Sequence, residues 1–189
     1  MRPESLTGGF VTPPQDSARA FRTALSVLSR PGTILTLERL APPAPLSPAA
    51  GTLALVLLDS TTPVFLAPSH DLPAVRDWLA FQTGAPLVGP EAAAFAFGNW
   101  DALQPLSRFA IGTAEYPDRA ATLIAELPRL APEGSRLTGP GIRDTARLSL
   151  PESPSFAENN DLFPLGYDIF FTCGNQVAGL PRSTRVELV

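Results

Sequence analysis

Apolar residues recur three and four positions apart at Ala18, Phe21, Leu25 and Leu28, the spacing that lines one face of a helix. Asp16 or Ser17 can cap that helix, and the Pro31-Gly32 pair ends it. Thr33 to Leu37 then alternates as a strand does, and the proline-rich run from Ala41 to Pro48 predicts a stiff, extended surface connection. Ser47-Pro48 supplies an N-cap followed by proline at the first helical position. The helix it opens, through Leu58, is apolar nearly all round and is therefore expected to be buried. Val64 to Ala67 predicts a strand. Asp71 to Thr83 predicts a third helix, with Val75, Trp78, Leu79 and Gln82 on one face and Gly84 ending it. Short strands follow at Pro86 to Val88 and Ala93 to Phe97, then a short helix at Asp101 to Arg108.

The second half of the chain is richer in strand patterns. Ala121 to Leu127, Arg136 to Thr138 and Ala146 to Leu150 alternate or run apolar, and Ser153 to Asp161 suits a short helix or turn. Tyr167 to Thr172 and Gln176 to Leu180 flank Cys173-Gly174-Asn175 and predict a hairpin. Helices interleaved with early strands and strands clustered late predict an α/β fold, a mixed β-sheet covered by helices. With 189 residues and 44% apolar content, residues 1–189 are expected to form a single domain.

Charge and composition narrow the chemistry. A net charge of −4 argues against a nucleic-acid or anionic-membrane surface, which needs clustered cations. The start, MRPESLTGGF, has no apolar signal core, and the longest aliphatic run, Leu53 to Leu58, is far too short to span a bilayer. One cysteine, Cys173, permits no intrachain disulfide, which fits the cytoplasm. All 14 basic residues are arginine. A chain without lysine can neither hold pyridoxal phosphate as an internal Schiff base nor build a P-loop. With His70 the only histidine, no zinc or iron–sulfur site is expected, and no cofactor.

Candidate sites are few. Cys173 has no base nearby in sequence and is expected to be a buried, inert thiol. Ser69-His70-Asp71 offers triad residue types, but sequence neighbours in extended chain point apart. His70 is expected to be exposed, with Asp71 capping the helix that follows. In Thr138-Gly139-Pro140-Gly141, Pro140 deletes one N–H of a would-be phosphate cradle, so a tight turn explains the glycines as well. Arg182 beside Ser183 and Thr184 suits an anion, with Arg22 on the first helix a possible second cation. The competing expectation pairs Arg182 with a local acid, Glu187 or Asp168, at a sheet edge. No nucleophile, base and orienting group assemble, so the chain reads as a binding or assembly subunit.

Four stretches, in order, carry a resemblance: QDSARAFRTALSVLSRPG (Gln15 to Gly32), TPVFL (Thr62 to Leu66), LTGPGI (Leu137 to Ile142) and FPLGYDIFFTCGNQVAGLPRSTRVE (Phe163 to Glu187). Together they closely resemble the PhnH family, the H subunit of the bacterial carbon–phosphorus lyase system for phosphonate use. The resemblance implies a fold similar to the large domain of pyridoxal-phosphate-dependent transferases without the cofactor site. It also implies a homodimer within a core complex with the G, I and J subunits. That complex, with an ATP-binding-cassette-like L subunit, makes a ribose 1-phosphonate 5-triphosphate from MgATP and an alkylphosphonate. The family offers no catalytic residue to carry over. The rival expectations are a free-standing transferase-like enzyme holding a phosphorylated substrate with Arg182 and Arg22, and a scaffold without any ligand. Self-association is expected to use apolar surface, with Trp78, Phe81 or Phe163 as anchors.

Overall fold

The computed structural model describes residues 7–37, 40–151 and 154–187. Nine strands and five α-helices form along these residues, alternating in the first half and clustering as strands in the second. Strands β1 (Ile34–Thr36), β2 (Val64–Leu66), β3 (Phe95–Asn99), β4 (Thr122–Glu126), β7 (Asp168–Cys173) and β8 (Gln176–Leu180) form one sheet in the order β1-β8-β7-β4-β3-β2. β2, β3, β4 and β7 run parallel, while β8 is antiparallel to both β7 and β1. The sheet is mixed, as the sequence pattern predicts. A second, antiparallel sheet joins β6 (Ala146–Leu148), β5 (Ser135–Thr138) and β9 (Arg185–Glu187).

Side chains alternating along each central strand feed two cores. Val64, Leu66, Phe97, Ile124, Phe170 and Val177 meet helices α1 (Pro13–Ser29), α2 (Pro48–Leu57) and α3 (Pro73–Gln82). Ala96, Leu123, Ala125, Ile169, Phe171 and Ala178 face the other way. There they meet Trp100 and Leu103 of α4 (Trp100–Leu103), Phe156 of α5 (Ser155–Asp161), and Leu137 and Leu148 of the small sheet. Each fully buried Leu or Phe here contributes about 1.5–3 kcal/mol.

Local signals explain much of this. Ser47 caps α2, its hydroxyl accepting the Ala50 N–H at 3.1 Å. The β7–β8 hairpin closes at Cys173↔Gln176, with Gly174 in the turn at φ +58°. The stretch predicted as one helix from Asp101 to Arg108 is broken. Gln104 is extended (φ −73°, ψ 152°) before Pro105, and only a 3₁₀ turn resumes at Leu106–Arg108. A residue before proline is driven out of helical geometry, and proline has no N–H for the helix ladder. Pro86 to Val88 contributes only an isolated bridge, Val64↔Leu87.

Helix α1 departs from its predicted orientation. Its buried positions are Asp16, Ala20, Ala24 and Val27, whereas Phe21 and Leu25 are 45% and 52% exposed. The reason is a close crossing. A Cβ on Gly179 of β8 would stand 2.7 Å from the Val27 carbonyl oxygen, so only small side chains fit beneath the helix. The helix also starts earlier than expected, because Pro13 and Pro14 suit its first turn. Asp16 lies within it and accepts the Thr12 N–H at 2.7 Å. Trp78 is fully buried and donates its ring N–H to the Thr7 carbonyl at 2.9 Å, which removes it as an interface anchor. Phe81 and Phe163 remain exposed.

Candidate functional site

The parallel strands end at one edge of the sheet, and two neighbouring strands send their connections to opposite faces there. After β2 the chain passes to α3 on one face; after β3 it passes to α4 on the other. Such a divergence opens a crevice at the carboxyl ends of the strands, the usual ligand position in open α/β sheets.

Polar side chains fill this position. The Ser69 hydroxyl lies 2.9 Å from His70 Nδ1 and accepts the Asn99 N–H at 3.1 Å. On the far side of the ring, His70 Nε2 lies 3.5 Å from Glu126 Oε1. That oxygen accepts the Ser47 N–H at 2.7 Å. With the Nε2 proton facing the carboxylate, Nδ1 accepts the proton of Ser69. Among the described residues Nε2 has no hydrogen-bond partner within normal range.

His70 is therefore buried, at 3% exposure, and the expectation of an exposed histidine is wrong. The cause is local geometry. His70 and Asp71 both return their N–H groups to the Ala67 carbonyl, so the segment is a tight turn and the alternation of extended chain does not apply. Asp71 does not cap α3 either. It pairs with Arg76, and the N-cap position is Leu72. Serine, imidazole and carboxylate do come together, but the carboxylate is Glu126 from β4 and not the neighbouring Asp71. No local signal identifies Glu126, which reaches the ring from a different strand.

The second candidate cluster sits at the opposite ends of the strands. Arg182 donates from Nε and from one terminal nitrogen to Asp168, at 3.2 and 2.7 Å, and from the other terminal nitrogen to the Pro117 carbonyl at 2.8 Å. Its backbone N–H also reaches Asp168, at 3.0 Å. The local-acid expectation thus has Asp168 as its partner, while Glu187 pairs with Arg136. Ser183 is half-buried; Thr184 is 2% exposed, and its hydroxyl has no partner among the described residues. Arg22 is exposed on α1 and makes no hydrogen bond to this cluster among the described residues. Beside Asp168, an apolar groove of about 140 Å³ runs between Phe21, Leu25 and Leu28 of α1 and Leu57, Phe95 and Phe170.

Two other features take on definite roles. Cys173 is half-buried instead of fully buried, its thiol directed at the Pro128 carbonyl at 3.5 Å. Gly141 lies at φ +80°, and a Cβ there would fall 2.0 Å from the Ser29 carbonyl oxygen. Gly141 of LTGPGI therefore packs against the end of α1, whereas Gly139 lies against the Ser183 carbonyl. A cavity of about 240 Å³ lies between the Pro105 turn and α5, lined by Gln104, Ser107, Glu158 and Tyr167. Among the described residues its lining holds a carboxylate and no cation, a poor match for a phosphonate or phosphate. The Tyr167 hydroxyl donates to the Leu106 carbonyl at 2.8 Å, and burial raises its pKa above the usual value. Among the described residues no group of three or more His, Cys, Asp or Glu gathers as a metal site. No helix among them is long and apolar enough to cross a membrane.

Comparison with known proteins gives consistent results across the chain. Residues 8–187 match the family described as bacterial phosphonate metabolism protein (PhnH). The chain is 37% identical to the alpha-D-ribose 1-methylphosphonate 5-triphosphate synthase subunit PhnH of Rhizobium meliloti (strain 1021), over 96% of this chain and 95% of that protein. It is 30% identical to the putative C-P lyase subunit protein HtxG of Stutzerimonas stutzeri, over 89% of this chain and 85% of that one.

Proposed function

This chain belongs to the PhnH family of bacterial phosphonate metabolism proteins, and we propose that it is an accessory, non-catalytic subunit of a ribose 1-phosphonate 5-triphosphate synthase. One observation carries the proposal: the 37% identity, over 96% of the chain, to a protein named as a subunit of such a synthase. The side-chain chemistry supports the non-catalytic part. The imidazole of Ser69–His70–Glu126 is buried, and its neighbours are tied to the backbone of Ser47 and Asn99. The Arg182 fork is spent on Asp168 and Pro117. A free-standing enzyme using Arg182 and Arg22 would have to break that pairing first.

In this proposal the chain is one cytoplasmic domain that acts with the G, I and J subunits, on a sheet related to the large domain of pyridoxal-phosphate-dependent transferases. A second copy covers the apolar groove beside α1. There Phe21 and Leu25 project next to a hollow of the same apolar character, and an isologous contact matches projection to hollow twice.

The test compares the isolated protein with the reconstituted complex, given MgATP and methylphosphonate and followed by phosphorus NMR. The complex is expected to form the triphosphonate and the isolated protein none. Turnover by the isolated chain would make it an enzyme in its own right.

A further inference from the structure

The small sheet presents one face to the core and one to solvent. Leu137 of β5 and Leu148 of β6 are fully buried on the inner face, with Val186 of β9 beside them. Alternation sends Arg136, Arg147, Arg185 and Glu187 to the outer face, and all four are exposed. The register sets Arg147 directly opposite Arg136, and Arg136 directly opposite Glu187, so the three lie in one row across the sheet. Arg185 lies one row away, opposite Thr138, in a cleft it shares with Asp161 and Glu187.

Like charges placed directly opposite on a sheet are unfavourable. Among the described residues, no carboxylate pairs with Arg147, which stands opposite Arg136. Glu187 pairs with Arg136, at 3.2 Å, and the Arg147 fork donates to the Gly134 carbonyl, at 2.9 Å. Each contact engages one terminal nitrogen of its fork. The cationic row contrasts with a chain whose net charge is −4. A carboxylate between the two guanidinium groups would remove the repulsion and accept planar, paired hydrogen bonds.

We propose that the outer face of β6–β5–β9 docks an acidic surface of another protein subunit, with a partner carboxylate seated between Arg136 and Arg147. The inference rests on the subunit reading above and assigns it a surface. Arginine suits this role because its guanidinium is weakly hydrated and common at protein interfaces. The contact is electrostatic, so it weakens as salt rises. It is separate from the apolar groove beside α1, which takes the second copy of the chain.

The experiment measures binding of the full-length protein to the remaining core subunits, at low and high salt, for wild type, Arg136→Ala/Arg147→Ala and Arg119→Glu. Arg119 is an exposed arginine on a turn outside the small sheet. The double variant is expected to bind at least tenfold more weakly at low salt. It should unfold close to the wild-type temperature, since the Arg136–Glu187 pair it loses is exposed and stabilises little, and Arg119→Glu should bind as wild type. Undiminished binding by the double variant overturns the docking surface and leaves the subunit reading intact. A collapse of the unfolding temperature, well beyond the loss of one exposed ion pair, would assign the row a structural role and also overturn it. If wild type fails to bind the other subunits, the subunit reading falls and takes this surface with it. A last arm titrates inorganic triphosphate into the isolated protein. Binding lost in the double variant, with subunit binding unchanged, would assign the row to a small anion and overturn protein docking.

Discussion

His70 Nε2 stands 3.5 Å from Glu126 Oε1, and the same oxygen accepts the Ser47 N–H at 2.7 Å. One carboxylate thus joins the end of β4 to the turn after β2 and to the start of α2. Removing it leaves a nearly buried N–H without an acceptor. Glu126→Ala is expected to cost about 1–3 kcal/mol, and Glu126→Gln clearly less, because the amide oxygen still accepts from Ser47. Urea unfolding with unchanged m-values is the measurement, and equal losses would refute the role of the Ser47 bond. His70 is the only imidazole in the chain, so nitrogen NMR reports its tautomer without assignment. A neutral ring protonated at Nδ1 would reverse the hydrogen-bond direction given above.

Asp168 and Arg182 are unequally buried, with side chains 29% and 13% exposed. This ranks two substitutions. Asp168→Ala strands the more buried guanidinium and also the Arg182 N–H, whereas Arg182→Ala leaves a carboxylate that water reaches more easily. The expected loss is about 1.5–3 kcal/mol for Asp168→Ala and less for Arg182→Ala. The reverse order in chemical denaturation would count against the pairing as described.

Asp16 has a pKa below the usual carboxylate value, first because it accepts the Thr12 N–H and next because Arg19 pairs with it at 2.6 Å. A depressed folded-state pKa contributes stability that is present above the unfolded value of about 3.9 and is lost as pH falls through the folded value. Asp16→Asn should therefore be less stable than wild type at neutral pH. The gap should close as pH drops below the ordinary carboxylate range. A gap independent of pH would mean that the charge plays no part.

Leu25 is 52% exposed on the rim of the apolar groove. If a second copy covers this groove, Leu25→Arg should shift sedimentation at micromolar protein from dimer to monomer. Wild type should remain dimeric in high salt, because screening leaves apolar burial intact. A dimer unaffected by Leu25→Arg would place the self-association elsewhere, and dissociation of wild type by salt would remove its apolar basis.

What the sequence by itself determined is the set of elements whose signals are short-range. Ser47-Pro48 announces α2, the apolar run in Thr122 to Glu126 marks a central strand, and the alternation on either side of Gly174 marks the hairpin. In each, the residues that form the element also identify it. Tertiary structure decided what depends on distant partners. Helix α1 has apolar residues on more than one side, and only the close approach of Gly179 selects Ala20, Ala24 and Val27 over Phe21 and Leu25. Arg185–Glu187 has one apolar residue in three and becomes β9 only because β5 lies alongside. His70 is buried because a carboxylate from β4 meets its ring, a contact that no spacing along the chain encodes. Local propensity specifies elements; the choice of face, and of polar partner, follows from packing energy summed over residues far apart in sequence.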